Sequence, residues 1–266
     1  MSNNRGADRP FFRAATNVPE VIAHRGGGGE WPGETIYAFE QALKAGVDVL
    51  EMDIHKTVDN HLVLMHNARV DETTNGTGRI KEKTLKQIQD LEIEFDWPPG
   101  QKPDKPIKVP TLREVFERFP ERRMNIEIKQ REPSLVKEFV ALLREFGMTD
   151  KVLVASFWNG VLHEFRQACP EVATSASTLE VGTFFALSGI LNTHYKPDTD
   201  ALQVRAELAE VHTITKKIVD RARSLNLPIH GWTVNDEDDM KRLISIGVDG
   251  IITDNPTILL KVLGRL

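Results

Sequence analysis

The stretch DVLEMDIH (residues 48–55) sets Glu51, Asp53 and His55 against Leu50, Met52 and Ile54 in strict alternation. A period of two is the pattern of a strand, so the three polar side chains share one face. The same pattern returns in NIEIK (125–129), where Asn125, Glu127 and Lys129 alternate with Ile126 and Ile128. Working outward, short apolar runs occur at 21–24 (VIAH), 49–54, 123–129, 151–157 (KVLVASF), 172–177 (VATSAS), 201–204 (ALQV), 228–234 (PIHGWTV) and 250–254 (GIITD). Amphipathic stretches lie between most of them, among them TIYAFEQALKAG (35–46) and SLVKEFVALLREFG (134–147). The second of these puts Leu135, Phe139, Leu142, Leu143 and Phe146 on one stripe and stops at Gly147. Strand followed by helix, repeated eight times, predicts a (β/α)8 TIM barrel rather than an open sheet.

One further run, LVLMHN (62–67), follows the turn residues Asp59 and Asn60 and predicts a hairpin beyond the second barrel strand. It opens a hairpin and loop insertion over about 56–110, which ends in the proline-rich DWPPGQKPDKPIKVP. Insertions this long inside a compact domain usually serve function. Residues 1–19 are expected to form an N-terminal leader, and residues 20–266 a single barrel domain.

The 266 residues suit one large domain, and the 40% apolar fraction can fill a sizeable core. A net charge of −5 without a basic run argues against nucleic acid as a partner. No window is apolar enough to span a membrane, and the first twenty residues lack a signal peptide's apolar region. The single cysteine, Cys169, excludes an intrachain disulfide and fits a reducing, cytoplasmic setting. Nothing near Cys169 would activate its thiol, so a structural role is expected.

A barrel builds its site at the C-terminal ends of its strands. The polar residues at those ends are His24, Arg25, Glu51, Asp53, His55, His66, Asn67, Asn125, Glu127, Lys129, Ser156, Gln203, His230, Trp232 and Asp254. Carboxylates on strands that helices cover must face the barrel interior, where they need a cation. An oxygen-rich set describes a hard ion, Mg2+ or Ca2+. The glycine run 26–29 beside Arg25 fits backbone passing close to a phosphate, which guanidinium groups pair with bidentately.

These residues sit in a longer order. AHRGG, PGET, AFEQALKAGVDVLEMDIHKTVDNHLVLMHN, TTNGTG, VPTLREVF, NIEIK, GWTVND and GVDGIITDNP follow one another over roughly residues 20–260. The order resembles the glycerophosphodiester phosphodiesterase family, whose fold is a TIM barrel. The resemblance implies that His24 and His66 are the catalytic pair, and that Glu51, Asp53 and Glu127 hold a divalent cation. It implies that Arg25 and Lys129 hold the phosphate, and that Trp232 walls the pocket. The substrate class it implies is a small glycerophosphodiester, with lysophospholipids as an alternative; a non-catalytic phosphodiester-binding barrel is the alternative of another class.

Two departures stand out. The family's Pro-Glu-Asn-Thr appears as Pro32-Gly33-Glu34-Thr35, which puts Glu34 at the site as a cation or glycerol contact. The family's His-Asp appears as His66-Asn67, which removes a carboxylate from beside the imidazole and predicts an altered pH optimum. For the apolar segment 180–200, adjacent Phe184 and Phe185 cannot both face the core, so one is expected toward the mouth, a neighbour or solvent.

Overall fold

A computed structural model describes residues 6–12, 18–98, 100, 102–190, 197–208 and 211–266. Eight parallel strands form one curved sheet: β1 (Glu20–Ala23), β2 (Val49–Lys56), β4 (Met124–Ile128), β5 (Val152–Ala155), β6 (Ala173–Thr174), β7 (Leu202–Arg205), β10 (Ile229–Trp232) and β11 (Gly250–Thr253). Their order around the sheet is β6-β5-β4-β2-β1-β11-β10-β7. A parallel bridge between Ser175 and Ala201 joins the two ends. Ala176 N donates to Ala201 O at 2.9 Å and Asp200 N to Thr174 O at 2.8 Å, so the sheet closes into a barrel. All eight sequence runs appear as strands in the expected order.

Helices α1 (Ile36–Ala45), α3 (Leu112–Arg118), α4 (Val136–Glu145), α5 (Asn159–Ala168), α6 (Thr178–Ile190), α7 (Lys216–Ser224), α8 (Glu237–Ile246) and α9 (Pro256–Val262) follow the strands. Their starts are written in the sequence. Thr35 caps α1 by accepting from Ala38 N, and Thr111 forms a reciprocal capping box with Glu114 at α3. Every residue of β2 is buried, which requires cover on both faces. Leu50, Met52 and Ile54 join Phe39, Phe116, Phe139 and Phe165 in the main core, leaving Glu51 and Asp53 to the barrel interior.

The interior floor is a separate aliphatic cluster, Ile22, Val49, Leu153, Ala173, Ala201 and Ile252, filled by Phe11 and Phe12. Part of the expected leader is therefore interior packing. Arg123 donates to Phe11 O at 3.2 Å and its guanidinium lies 5.5 Å from the centroid of the Phe11 ring.

Gly6 N and Arg9 Nε both donate to Asp200 Oδ1, at 3.1 and 3.0 Å, which ties this segment to the closing edge of the barrel.

The insertion begins as expected. Strand β3 (Leu62–Leu64) runs antiparallel to β2, with Ile54 opposite Leu64 and Lys56 opposite Leu62. Beyond it, the short helix α2 (Leu85–Gln89) and a turn at Ile80–Glu82 enclose a small core of Val63, Met65, Val70, Ile80, Ile88 and Val109. That core holds the insertion against the barrel rim near His66. Two further short strands, β8 (Glu207–Leu208) and β9 (Val211–His212), pair antiparallel at the rim after β7.

If the N-terminal aromatics fill the floor, Phe11→Ala should cost about 3 kcal/mol of unfolding free energy, the usual scale for emptying a buried Phe site. Urea unfolding followed by circular dichroism measures it, with the exposed Val58→Ala as a control expected within about 0.5 kcal/mol of the parent. A Phe11→Ala protein as stable as the control would contradict the packing role.

Candidate active site

The site begins where β1 ends. His24, Arg25 and Gly26 form a single tight turn in which Arg25 adopts φ 53°. Left-handed backbone is uncommon for a residue with a Cβ, and here it sends the Arg25 side chain back over the mouth while Arg25 N donates to Glu51 Oε2 at 2.7 Å. The first two glycines that follow are also left-handed, and both are crowded by their neighbours. Gly26 (φ 79°) packs so closely that a Cβ would lie 2.7 Å from Phe39, and one on Gly27 (φ 92°) would lie 2.8 Å from Trp31. Gly26 and Gly27 thus make a left-handed turn under crowding, whereas a Cβ on Gly28 would meet nothing closer than Asp254 Oδ1 at 3.7 Å.

Ladder register sets the acids. Glu51 pairs with Asn125 and Asp53 with Glu127 across β2 and β4, so the side chains enter the barrel at matched heights. Carboxylate oxygens of Glu51, Asp53 and Glu127 lie within 4.8 Å of one another. Both Asp53 oxygens and Glu127 Oε1 are buried without a hydrogen bond. Two cations partly compensate: Lys129 Nζ lies 3.1 Å from Glu127 Oε2 and 3.3 Å from Asp53 Oδ1, and Arg25 Nε lies 3.6 Å from Asp53 Oδ2. Burial, followed by the charge of Asp53, raises the Glu51 carboxyl to about 7 and that of Glu127 to about 8. Three converging acids, with unsatisfied oxygens on Asp53 and Glu127, fit a hard divalent cation held by Glu51, Asp53 and Glu127.

Glu34 stands behind this group. Its Oε1 accepts from Asp53 N at 3.0 Å, and burial with the charges of Asp53 and Glu51 pushes its carboxyl well above the usual range.

The two histidines face the mouth from different partners. His24 Nδ1 donates to Asp254 Oδ1 at 2.6 Å, because a carboxylate can only accept. Asp254 is itself clamped by Asn235, whose amide donates to Oδ2 at 2.7 Å and whose Oδ1 accepts from Asp254 N at 2.9 Å. Burial alone would lower the His24 pKa, but Glu51 and Asp254 outweigh it and leave the imidazole raised. His66 Nδ1 donates to Asn67 Oδ1 at 2.7 Å, while the Asn67 amide donates to Glu72 from the insertion. Burial, and then the positive charge of Arg25, lowers the His66 pKa. His55 backs this corner, its Nε2 3.4 Å from His66 O.

His24, Arg25, Glu51, His66, Asn125, Glu127, Lys129, Ser156, Gln203 and Trp232 line one cavity of about 870 Å3. Its other wall is apolar: Phe157, Val181, Phe185, Leu208 and Trp232. Phe157 meets Trp232 edge-on at 5.6 Å, and Arg205 lies 5.1 Å over the Trp232 ring. Of the adjacent pair, Phe184 is buried in the outer core and Phe185 faces the cavity. Leu191 of the same apolar segment lies outside the described residues.

His230, expected at the mouth, sits instead in the floor. Its ring is 6.2 Å from that of Phe12, and burial pushes its pKa down to about 4. It lies two residues before Trp232 on the same inward face, so it is one layer too deep to meet the cavity. Asp254 is the residue whose role the sequence reading missed. It had been collected at the end of the last strand, but only closure of the barrel, which pairs β11 with β1, brings it to His24. Cys169 is buried, and burial pushes its thiol up to about 12, in keeping with a structural role.

Residues 24–258 match the Glycerophosphoryl diester phosphodiesterase family. A glycerophosphodiester phosphodiesterase of Caldanaerobacter subterraneus subsp. tengcongensis is 32% identical over 254 residues, 92% of this chain and 98% of that protein. A lysophospholipase D of Mus musculus is 26% identical, over 89% of this chain and 83% of its own. Among solved structures, an Oleispira antarctica phosphodiesterase in complex with the product sn-glycerol-3-phosphate superposes with a TM-score of 0.72 at 22% identity, covering 93% of this chain and 97% of that one. With a family match over most of its length and a barrel of the same kind, the chain belongs to the glycerophosphoryl diester phosphodiesterase family.

Proposed function

We propose that this protein hydrolyses glycerophosphodiesters to glycerol 3-phosphate and an alcohol with the help of a divalent cation, Mg2+ or Ca2+. The observation that carries the reading is the convergence of three acids, of which Glu51 and Glu127 line the cavity, with Arg25, Lys129 and two differently partnered histidines on the same cavity. A bound cation supplies positive charge where negative charge develops on the phosphorus oxygens. Arg25 and Lys129 hold the phosphate, and Trp232 bounds the alcohol side.

The two histidines divide the proton work. Among the described residues His66 Nδ1 is partnered by the Asn67 amide oxygen, burial and Arg25 favour its neutral form, and its Nε2 is the base that takes the proton of the attacking oxygen. His24, held by the Asp254 carboxylate, is suited to the imidazolium state and protonates the departing alkoxide. The apolar wall supports a second reading, a lysophospholipase D reaction in which Phe157, Phe185 and Leu208 contact the acyl chain. Intact histidines and acids weigh against a barrel that only binds its diester. The net charge of −5 weighs against nucleic acid as a partner, and the single buried Cys169 supports a cytoplasmic setting. No helix among the described residues is long and apolar enough to cross a membrane.

Release of glycerol 3-phosphate from glycerophosphocholine should stop on chelation and return with added cation. Glu127→Gln should lose activity about 10²-fold or more without needing the chelator. Full turnover in chelator would contradict the cation reading.

A pH profile tests the base. His66 must be neutral to act, so activity falls as pH drops through its pKa. Asn67→Asp with Glu72→Gln places a carboxylate on Nδ1 and keeps an amide donor to it. The acidic limb of kcat/KM should then move up by about one pH unit; an unmoved limb would remove His66 as the base.

For substrate range, Phe185→Ser should lower kcat/KM for a long-chain lysophosphatidylcholine by about tenfold while sparing glycerophosphocholine, given roughly 0.8 kcal/mol per buried methylene. Equal loss on both substrates, or no cleavage of the lysolipid by the parent, would restrict the enzyme to water-soluble diesters.

A further inference from the structure

Among the described residues, four non-glycine positions have positive φ: Arg25, Glu34, Asn60 and Asn226. The two asparagines are of the type that tolerates left-handed backbone, and Arg25 is part of the mouth. Glu34, at φ 61°, has no such excuse of residue type. Its backbone is strapped in place by Glu34 N donating to Arg25 O at 2.9 Å. The residue is only 6% exposed, and it lies against the carboxyl groups of Asp53 and Glu51, which repel it when it ionises. One oxygen, Oε1, accepts from Asp53 N, whereas no N–H or hydroxyl reaches the buried Oε2 and the carboxyl lies within hydrogen-bond reach of the Asp53 side chain.

Strain, burial and like-charge neighbours are three separate costs at one residue. The bond to Asp53 N does not repay them, because an amide oxygen would accept it equally well. Asparagine, the residue of the resembled motif at this position, tolerates this backbone with less strain. What a carboxyl adds is a second oxygen that no N–H satisfies and, once a cation displaces its proton, a negative charge. We propose that Glu34 is a fourth carboxylate for the cation held by Glu51, Asp53 and Glu127, and that it biases the site toward Ca2+ over Mg2+. Ca2+ accepts six to eight oxygen ligands in flexible geometry, whereas Mg2+ uses few carboxylates and keeps its waters. The inference rests on the cation reading above.

Calorimetric titration of the chelated, desalted full-length protein with CaCl2 and with MgCl2 separates the two. In Glu34→Gln, which keeps the acceptor for Asp53 N, Ca2+ affinity should fall about tenfold or more, while Mg2+ affinity changes by less than about threefold. Glu34→Asn should show the same loss and a metal-free Tm above the parent's, since it relieves both the repulsion and the strained backbone. Unchanged Ca2+ affinity in Glu34→Gln would overturn the proposal and leave Glu34 as a support for the Asp53 backbone. Equal losses for both ions would overturn the preference for Ca2+. A parent that binds neither ion would overturn the cation reading itself.

Discussion

Three carboxyl groups within 4.8 Å of one another, on adjacent parallel strands and out of water, repel. The register that aligns Asp53 with Glu127 prevents them from separating, because moving either would break the β2–β4 ladder. The surrounding structure is arranged around this constraint. Lys129 follows β4 by one residue and reaches two of the acids. Arg25 takes a left-handed turn that brings its side chain to Asp53 and its backbone N–H to Glu51. Even so, four buried oxygens of Glu34, Asp53 and Glu127 lack a hydrogen bond, which is the position a divalent cation would fill.

The barrel also sorts the mouth by chemistry. β1, β2 and β4 are neighbours and carry His24, Arg25, Glu51, Asp53, Glu127 and Lys129. β5, β6 and β7 are neighbours on the other side, and the loops and helix beyond them supply Phe157, Val181, Phe185 and Leu208. A phosphodiester has the same division, a charged phosphate and a more variable alcohol. The cavity can thus keep its reacting half constant while the apolar half sets which alcohol is accepted.

Much of this was legible in the chain. Period-two alternation marked β2 and β4, and because alternation also fixes the face, Glu51, Asp53 and Glu127 could be read as one group. Residues at strand ends gave His24, Arg25, Lys129 and Trp232. Contacts made by barrel closure were less accessible. Asp254 and His24 are 230 positions apart and meet only because the last strand pairs with the first. Depth along a strand was also hidden, which is why His230 was expected at the mouth. The floor was hidden for a different reason: Phe11 and Phe12 form no periodic element, so nothing local announces that they fill the barrel. The glycine run was visible, but its cause, crowding by Phe39 and Trp31, depends on tertiary packing.

The central claim is that the converging acids exist to hold a cation beside the phosphate. A crystal grown with Mn2+ and glycerol 3-phosphate, measured at the manganese absorption edge, tests it most directly. The account predicts one anomalous peak among Glu51, Asp53 and Glu127, with the phosphate against Arg25 and Lys129. A structure of the active enzyme in which manganese avoids the three acids, or in which the phosphate lies away from both cations, would contradict it.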